Sequence, residues 1–371
     1  MAGIYIHIPF CKKACHYCNF HFSTNLSLKN GFLKALLNEI RLQSAYLQGQ
    51  TVSSIYLGGG TPSLLLLDDC REIFAALAHH FRIDPSAEIT LEANPDDIEI
   101  SKLIGWKEIG INRLSIGVQS FHEKELSWMN RAHNAMQAIE SIKLARSFFS
   151  NLTVDLIYGV PGLLDEEWKE NVDKLIELNI PHLSCYALTV EPKTALHKMI
   201  KEVNAEDQAR QFLLLVDWME QAGYEHYEIS NFALPGMRSK HNSSYWRGEH
   251  YLGLGPSAHS FDGISRQWNI SNNALYIQSL EKDLLPFEKE LLNLSQQHNE
   301  YVMTALRTIE GIDLNWVTRQ YGQQATDQLL KKASPAEQKG LLQFEEQKIR
   351  LTKEGRLFAD GLAAEFFTDA D

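Results

Sequence analysis

Three cysteines fall within eight residues near the start of the chain. They are Cys11, Cys15 and Cys18, in the stretch HIPFCKKACHYCNF that begins at His7. Thiolates are soft metal ligands, and a Cys-x3-Cys-x2-Cys run brings three of them to one loop. The residues admit three readings. In the first the thiols are structural and pack as small apolar groups. In the second they hold zinc, with His16 or His21 completing a Cys3His set. In the third they hold an iron–sulfur cluster, where three thiolates leave one iron open to another ligand. Cys70 and Cys185 lie in a helical and a strand pattern and read as small core residues.

The composition suits a soluble globular protein, with 371 residues, 44% of them hydrophobic and 22% charged. No run approaches 18 apolar residues, so no membrane-spanning helix is expected. No basic stretch followed by an apolar one opens the chain, so no signal peptide is expected. The expected compartment is the cytoplasm, with peripheral contact at a membrane as a variant. An odd number of cysteines, three of them clustered, does not suggest a disulfide framework. With 35 Lys and Arg against 47 Asp and Glu the net charge is −12, which disfavours a nucleic-acid partner.

Short β-rich runs alternate with amphipathic helical stretches over the first two hundred residues. Strands are expected at Ile4–Ile8, Ser54–Leu57, Glu88–Leu91, Arg113–Gly117, Thr153–Ile157 and His182–Ala187. Between the first two, Phe32, Leu33, Leu36, Leu37 and Ile40 share one helical face. The pattern predicts an α/β fold, a partial parallel (β/α)6-type barrel whose chemistry sits at the C-terminal ends of its strands. The expected division is 1–285 for the barrel and 286–371 for a small, mostly α, winged-helix-like domain of helical stretches with a hairpin at LLQFEEQKIRLT.

The polar residues cluster at the ends of the expected strands. Gly59, Gly60 and Thr61 follow the second strand. A dinucleotide fingerprint fails here, because Ser63 stands where its third glycine should be. The turn can instead present backbone N–H groups at close range to a carboxylate or an amine-bearing ligand. Glu92, Gln119, Arg131 and Asp155 lie at or just beyond later strand ends. A lone carboxylate at such a place reads as a solvated loop charge.

Cys-x3-Cys-x-aromatic-Cys after the first strand of a βα barrel resembles the radical S-adenosylmethionine superfamily. The resemblance implies that Cys11, Cys15 and Cys18 bind a [4Fe–4S] cluster whose fourth iron is chelated by S-adenosylmethionine. One electron from the cluster then cleaves a C–S bond to give methionine and a 5′-deoxyadenosyl radical. It also implies an electron donor such as a flavodoxin or ferredoxin, and places Tyr17 against the adenine. The joint pattern of Glu92, Gln119, Arg131 and Asp155 is similar to the porphyrin branch, which includes oxygen-independent coproporphyrinogen III oxidase. There the matching acids bind ribose hydroxyls, and the matching Gln and Arg reach the ribose and the methionine carboxylate. Tyr5 matches a tyrosine that approaches the sulfonium.

Within that branch two features depart from the oxidase. Phe20 stands where the oxidase has a further cysteine, and only Met1–Ile4 precede Tyr5, so no N-terminal closing segment is expected. Both features are similar to the HemW-type haem chaperones, as is His241-Asn242-x-x-Tyr245-Trp246 within residues 227–261. The resemblance makes haem the cargo, with haem-accepting membrane or respiratory proteins as partners. His241, His250 and His259 become candidates to approach the iron, and Tyr245 and Trp246 to stack on the macrocycle. The alternative for the same residues is an aromatic-anchored turn with His241 bonded inside the fold. From Glu290 onward 9 Lys and Arg face 13 Asp and Glu, a net of −4, so the C-terminal unit suits a docking or gating lobe better than a DNA reader. The leading expectation is a haem chaperone. The alternatives are an oxygen-independent coproporphyrinogen III oxidase and a zinc-stabilised binding module.

The cysteine spacing generates a direct test. Cys11→Ala, Cys15→Ala or Cys18→Ala should each abolish the dithionite-bleachable visible absorption of anaerobically prepared protein. Cys70→Ala and Cys185→Ala should retain it. Stoichiometric zinc without iron or labile sulfide would contradict the cluster.

Overall fold

The computed structural model describes residues 1–368, so the last three residues of the expected C-terminal domain lie outside the described residues. Six strands pair in parallel in chain order: β1 (Ala2–Ile8), β2 (Val52–Gly59), β3 (Ile83–Ala93), β4 (Arg113–Gln119), β5 (Leu152–Tyr158) and β6 (His182–Ala187). Each contains the strand expected from the sequence. Ile4, Ile6, Ile8, Ile55, Leu57, Leu91, Leu114, Ile116, Val154, Leu156 and Leu183 are fully buried and mostly alternate with more polar residues, so the strands carry an apolar face. The helix Lys29–Leu42 buries Phe32, Leu33, Leu36 and Ile40 on the predicted face.

The sheet continues beyond the six. On one side β7 (Glu225–Glu228) and β8 (Asn231–Ala233) add antiparallel to β6. On the other, β9 (His250–Leu254) pairs in parallel with β1, and β10 (His259–Phe261), β11 (Ser265–Asn269) and β12 (Phe287–Leu291) follow antiparallel. The order starts at β12 and ends at β7, so the barrel is partial. The corner between β9 and β10 is tied to the first helix by the buried carboxylate of Glu39. It accepts from the Gly255 amide, Asn269 Nδ2 and the Tyr276 hydroxyl at 2.7, 2.6 and 2.5 Å.

Residues 292 onward have their own core, with Val302, Leu306, Ile312, Val317, Leu329, Ile349 and Phe366 at its centre. Helices Leu294–Leu306, Leu314–Tyr321, Gln323–Gln338 and Ala359–Phe366 surround a three-stranded sheet of β13 (Ile312–Asp313), β14 (Leu342–Glu345) and β15 (Lys348–Leu351). This is the helices-plus-hairpin composition expected. The expected boundary at 285/286 falls one strand early, because Phe287–Leu291 is the edge strand of the large sheet. A short exposed strand carries no burial pattern, so its partner is invisible in the sequence.

The turn after β2 passes hard against the end of β1. A Cβ on Gly60 would lie 2.7 Å from the carbonyl oxygens of Ile8 and Phe10, which are backbone and cannot rotate away. Gly60→Ala should therefore cost about 1–3 kcal/mol of stability. Gly361, in the exposed interior of the last helix with nothing within 4 Å of its Cβ position, should gain about 1 kcal/mol as Ala. Denaturant unfolding of both variants checks the contrast; equal effects would contradict it.

Candidate radical S-adenosylmethionine site

The loop from Cys11 to Ser23 leaves β1 and is pinned at its base. The Cys11 amide donates to Ser23 O at 3.0 Å, and the Ser23 amide to Pro9 O at 3.0 Å. Its far side rests on the turn after β4, where the His16 amide donates to Met129 O at 3.1 Å and Asn130 Nδ2 to Ala14 O at 2.7 Å. The closed loop brings Cys11, Cys15 and Cys18 to the mouth of a cavity of about 380 Å³ at the C-terminal ends of the strands. Tyr17, Gly59, Gly60, Thr61, Glu92, Gln119, Arg131 and Asp155 line the same cavity. Residues up to 144 positions apart are thus gathered by parallel strand order together with the loops that follow the strands.

Arg131 ties the loop to the floor. Its Nη1 donates to Cys15 Sγ at 3.2 Å and to the Tyr17 hydroxyl at 3.3 Å, and its Nη2 to Asn94 Oδ1 at 2.7 Å. Thr61 Oγ1 donates to Cys11 Sγ at 3.4 Å and accepts from Asn94 Nδ2 at 3.2 Å. Burial pushes the Cys11 thiol up to about 11 and raises that of Cys18, so thiolates here call for a cation to compensate them.

Two carboxyls form the opposite wall. Glu92 Oε1 accepts from the Tyr56 hydroxyl at 2.7 Å and Oε2 from the Gly59 amide at 3.1 Å. Burial pushes Glu92 up to about 7 against those bonds, and Asp155 up to about 6 against its bonds to Ser184 and Ser115. Gln119 sits at a β4–β5 register shift with φ of 75°, a left-handed conformation costly for a side chain with a Cβ. Ser115 and Gly117, four and two positions earlier on β4, line the same cavity, so strand alternation accounts for the side on which Gln119 lies.

Several expectations need correction. The Gly59 and Gly60 amides are not free for a ligand: the first donates to Glu92 and the second to Ile8 O at 2.9 Å. These glycines serve by leaving space. Tyr5 does not line the cavity; its hydroxyl donates to His7 Nδ1 at 3.0 Å one layer below. Neither histidine proposed for zinc reaches the cavity. His16 Nδ1 bonds Trp128 O and His21 Nε2 bonds Asn273 Oδ1, both at 2.7 Å. Among the described residues no three His, Cys, Asp or Glu groups converge tightly enough for a single ion. Three thiols lining one cavity, with no histidine among its lining residues, suit a cluster with several irons, and the residues present fit that group. Cys70 and Cys185 are buried in a helix and in β6, as expected.

The His241–Trp246 segment lies at the opposite, N-terminal end of the strands. Helix Lys240–Trp246 is capped by Glu88, whose Oε2 accepts from the Lys240 amide at 3.1 Å and whose Oε1 accepts from the His241 amide at 3.0 Å. The His241 ring is 1% exposed, with Nδ1 bonded to Ser54 Oγ at 2.8 Å and Nε2 to the Tyr245 hydroxyl at 2.9 Å. Burial, with Arg113 nearby, lowers its pKa to about 3, so the ring is neutral. Neither nitrogen is available to iron in this conformation. One face of Trp246 is covered by the Arg307 guanidinium at 5.4 Å, and the Asn242 amide closes the helix cap on Ser239 Oγ. His250 is half-buried and bonded to Gln50; His259 is exposed.

Sequence reasoning missed Asn94, Ser115, Tyr186 and Tyr56. The first three line the cavity, and the fourth orients Glu92. Ser115 lies two residues after buried Arg113, and Tyr56 pairs in register with Tyr5, so strand alternation held a signal for both.

Comparison with known proteins agrees with this arrangement. The Radical SAM superfamily model matches residues 5–175, and the HemN C-terminal domain model matches residues 292–358. The haem chaperone HemW of Bacillus subtilis is 31% identical over 99% of both chains. The chain belongs to the HemW family of radical S-adenosylmethionine proteins. HemW of Escherichia coli is 38% identical over 69% of each chain, and that of Mycobacterium tuberculosis 33% over 97% of this chain and 93% of the relative. The solved Escherichia coli coproporphyrinogen III oxidase, a radical SAM enzyme, superposes with a TM-score of 0.87 at 25% identity, covering 99% of this chain and 90% of that one. No described helix of this HemW-family chain is long and apolar enough to cross a membrane.

The raised carboxyls give a pH test. The folded values of Glu92 and Asp155 lie above their ordinary 4.5 and 3.8, so between about pH 4 and 7 the folded chain holds the extra protons. Their contribution to stability is full at low pH and is lost as pH rises through 7. Between pH 5 and 8 the melting temperature of the cofactor-free chain should fall relative to that of Glu92→Gln. Parallel curves would show that Glu92 titrates normally.

Proposed function

We propose that this protein is a haem-binding chaperone that carries a [4Fe–4S] cluster and S-adenosylmethionine and delivers haem to haem-dependent membrane or respiratory proteins. The observation that carries the reading is its likeness to the Bacillus subtilis haem chaperone over nearly the whole of both chains. Cys11, Cys15 and Cys18 would hold the cluster. When bound, the cluster supplies one electron and an open iron position for the amino acid end of S-adenosylmethionine. Glu92 and Asp155 offer carboxylate acceptors for ribose hydroxyls, Gln119 and Arg131 offer donors, and Tyr17 offers a ring for the adenine.

For the haem, the apolar side chains at the cavity mouth matter. Phe20 is 64% exposed beside Phe22 and Leu188, a surface suited to a flat apolar macrocycle. Among the candidate histidines, His259 is the exposed one.

The oxidase reading is favoured by the TM-score of 0.87 to the Escherichia coli enzyme. One experiment separates the two. Cluster-loaded protein titrated anaerobically with haem should develop a Soret band, and His259→Ala should alter that band. Incubated with coproporphyrinogen III, S-adenosylmethionine and a reductant, it should form no protoporphyrinogen IX. Sustained protoporphyrinogen production with proportionate consumption of S-adenosylmethionine would make it an oxidase.

A further inference from the structure

Tyr56 stands between the two ends of the barrel. Its hydroxyl donates to Glu92 Oε1 at 2.7 Å, on the cavity wall. Its ring stacks on His241, with centroids 5.1 Å apart and planes 23° from parallel. Tyr5 also stacks on it, at 6.2 Å and 27°. The direction of the phenol is therefore set by two rings, one of them on the Lys240–Trp246 helix.

His241 is in turn held on every side. Ser54 and Tyr245 take its two nitrogens, and Glu88 accepts from its amide. A histidine so restrained, neutral and without a free nitrogen, is built to hold a position. The group it faces is Tyr56, and what Tyr56 orients is Glu92.

The same contact reaches the cysteine loop by a second arm. The Tyr5 hydroxyl donates to His7 Nδ1, and His7 Nε2 donates to the carbonyl oxygen of His21 at 2.7 Å, three residues after Cys18. The tautomer is settled by the carbonyl, which can only accept.

We propose that the His241–Trp246 segment is a positioning element for the S-adenosylmethionine pocket, with His241 acting through Tyr56 on Glu92. The inference rests on the reading above that Glu92 takes the ribose of that ligand. It assigns the segment a role at the cavity 's base, separate from any contact with haem. Without the ring of His241, Tyr56 can swing, and Glu92 keeps only the Gly59 amide of its two bonds, so that Oε1 is no longer held. A hydrogen bond to a charged group is commonly worth about tenfold in affinity.

The test is calorimetric titration of S-adenosylmethionine into the full-length, cluster-loaded protein under anaerobic conditions. Glu92→Gln should weaken binding about tenfold or more, and Tyr56→Phe and His241→Ala about tenfold each. His241→Phe keeps a ring against Tyr56 and should stay within about threefold of the unaltered protein. The Tyr56→Phe/His241→Ala double variant should bind no worse than about twofold below the weaker single variant, because both changes act on one bond. Haem titrated into His241→Phe should give an unchanged Soret band.

Unchanged affinity in folded His241→Ala, with Glu92→Gln impaired, would overturn the positioning role alone. Unchanged affinity in Glu92→Gln would overturn the pocket reading and this one with it. Should His241→Ala fail to fold, Ser54→Ala removes one of the two restraints on the ring and should weaken binding about threefold; unchanged binding there would overturn the proposal. A Soret band lost in His241→Phe with S-adenosylmethionine binding intact would make His241 a haem ligand instead.

Discussion

The site depends on a contact in which no side chain fits. The glycine turn after β2 runs against the end of β1, where the Gly60 amide meets Ile8 O and a Cβ would meet two backbone carbonyls. Gly59, with φ of 104°, would drive a Cβ into the His7 ring at 2.4 Å. This approach fixes where the Cys11–Ser23 loop leaves the sheet, and so where three thiols can stand over the cavity. It also brings the Gly59 amide to Glu92. One backbone contact thereby positions both the thiol side and the carboxylate side of the pocket.

Beneath the pocket the barrel is filled with polar groups rather than aliphatic ones. Arg113, 1% exposed, donates to Thr153 Oγ1 and lies 3.9 Å from Glu88. His182 bridges Thr153 and Tyr227 at 3.0 and 2.7 Å. Tyr5, His7, Tyr56 and His241 continue the network upward. Such an interior contributes less to stability than apolar packing of the same volume, but each bonded ring has one allowed orientation. A pocket that must present two carboxyls and a strained Gln119 benefits from a floor with few alternatives.

The C-terminal lobe is joined to the barrel through polar contacts. The Ile309 amide donates to Tyr227 O at 3.0 Å, Arg238 bonds Glu310 at 2.7 Å, and Arg356 bonds His226. Arg307 reaches over Trp246, on the same helix as His241. The lobe therefore abuts the helix that closes the barrel base, while the thiol loop occupies the opposite rim.

Local patterns in the sequence determined a good deal. The order of βα units, the thiol loop after the first strand, and the helical lobe with its hairpin all follow from periodicity and spacing, which act between residues a few positions apart. The thiols, Glu92, Gln119, Arg131 and Asp155 were legible because parallel strands put all their C-terminal ends on one rim. Only the tertiary structure decided what each polar group faces. His241 reads as a candidate ligand until Ser54, 187 positions away, takes one nitrogen and Tyr245 the other. The glycine amides read as ligand donors until Glu92 and Ile8 claim them. The strand Phe287–Leu291 carries no burial pattern, and its place depends on β11 alone. A hydrogen-bonding side chain has the same chemistry wherever it lies; its role is set by partners that the chain's local sequence does not contain.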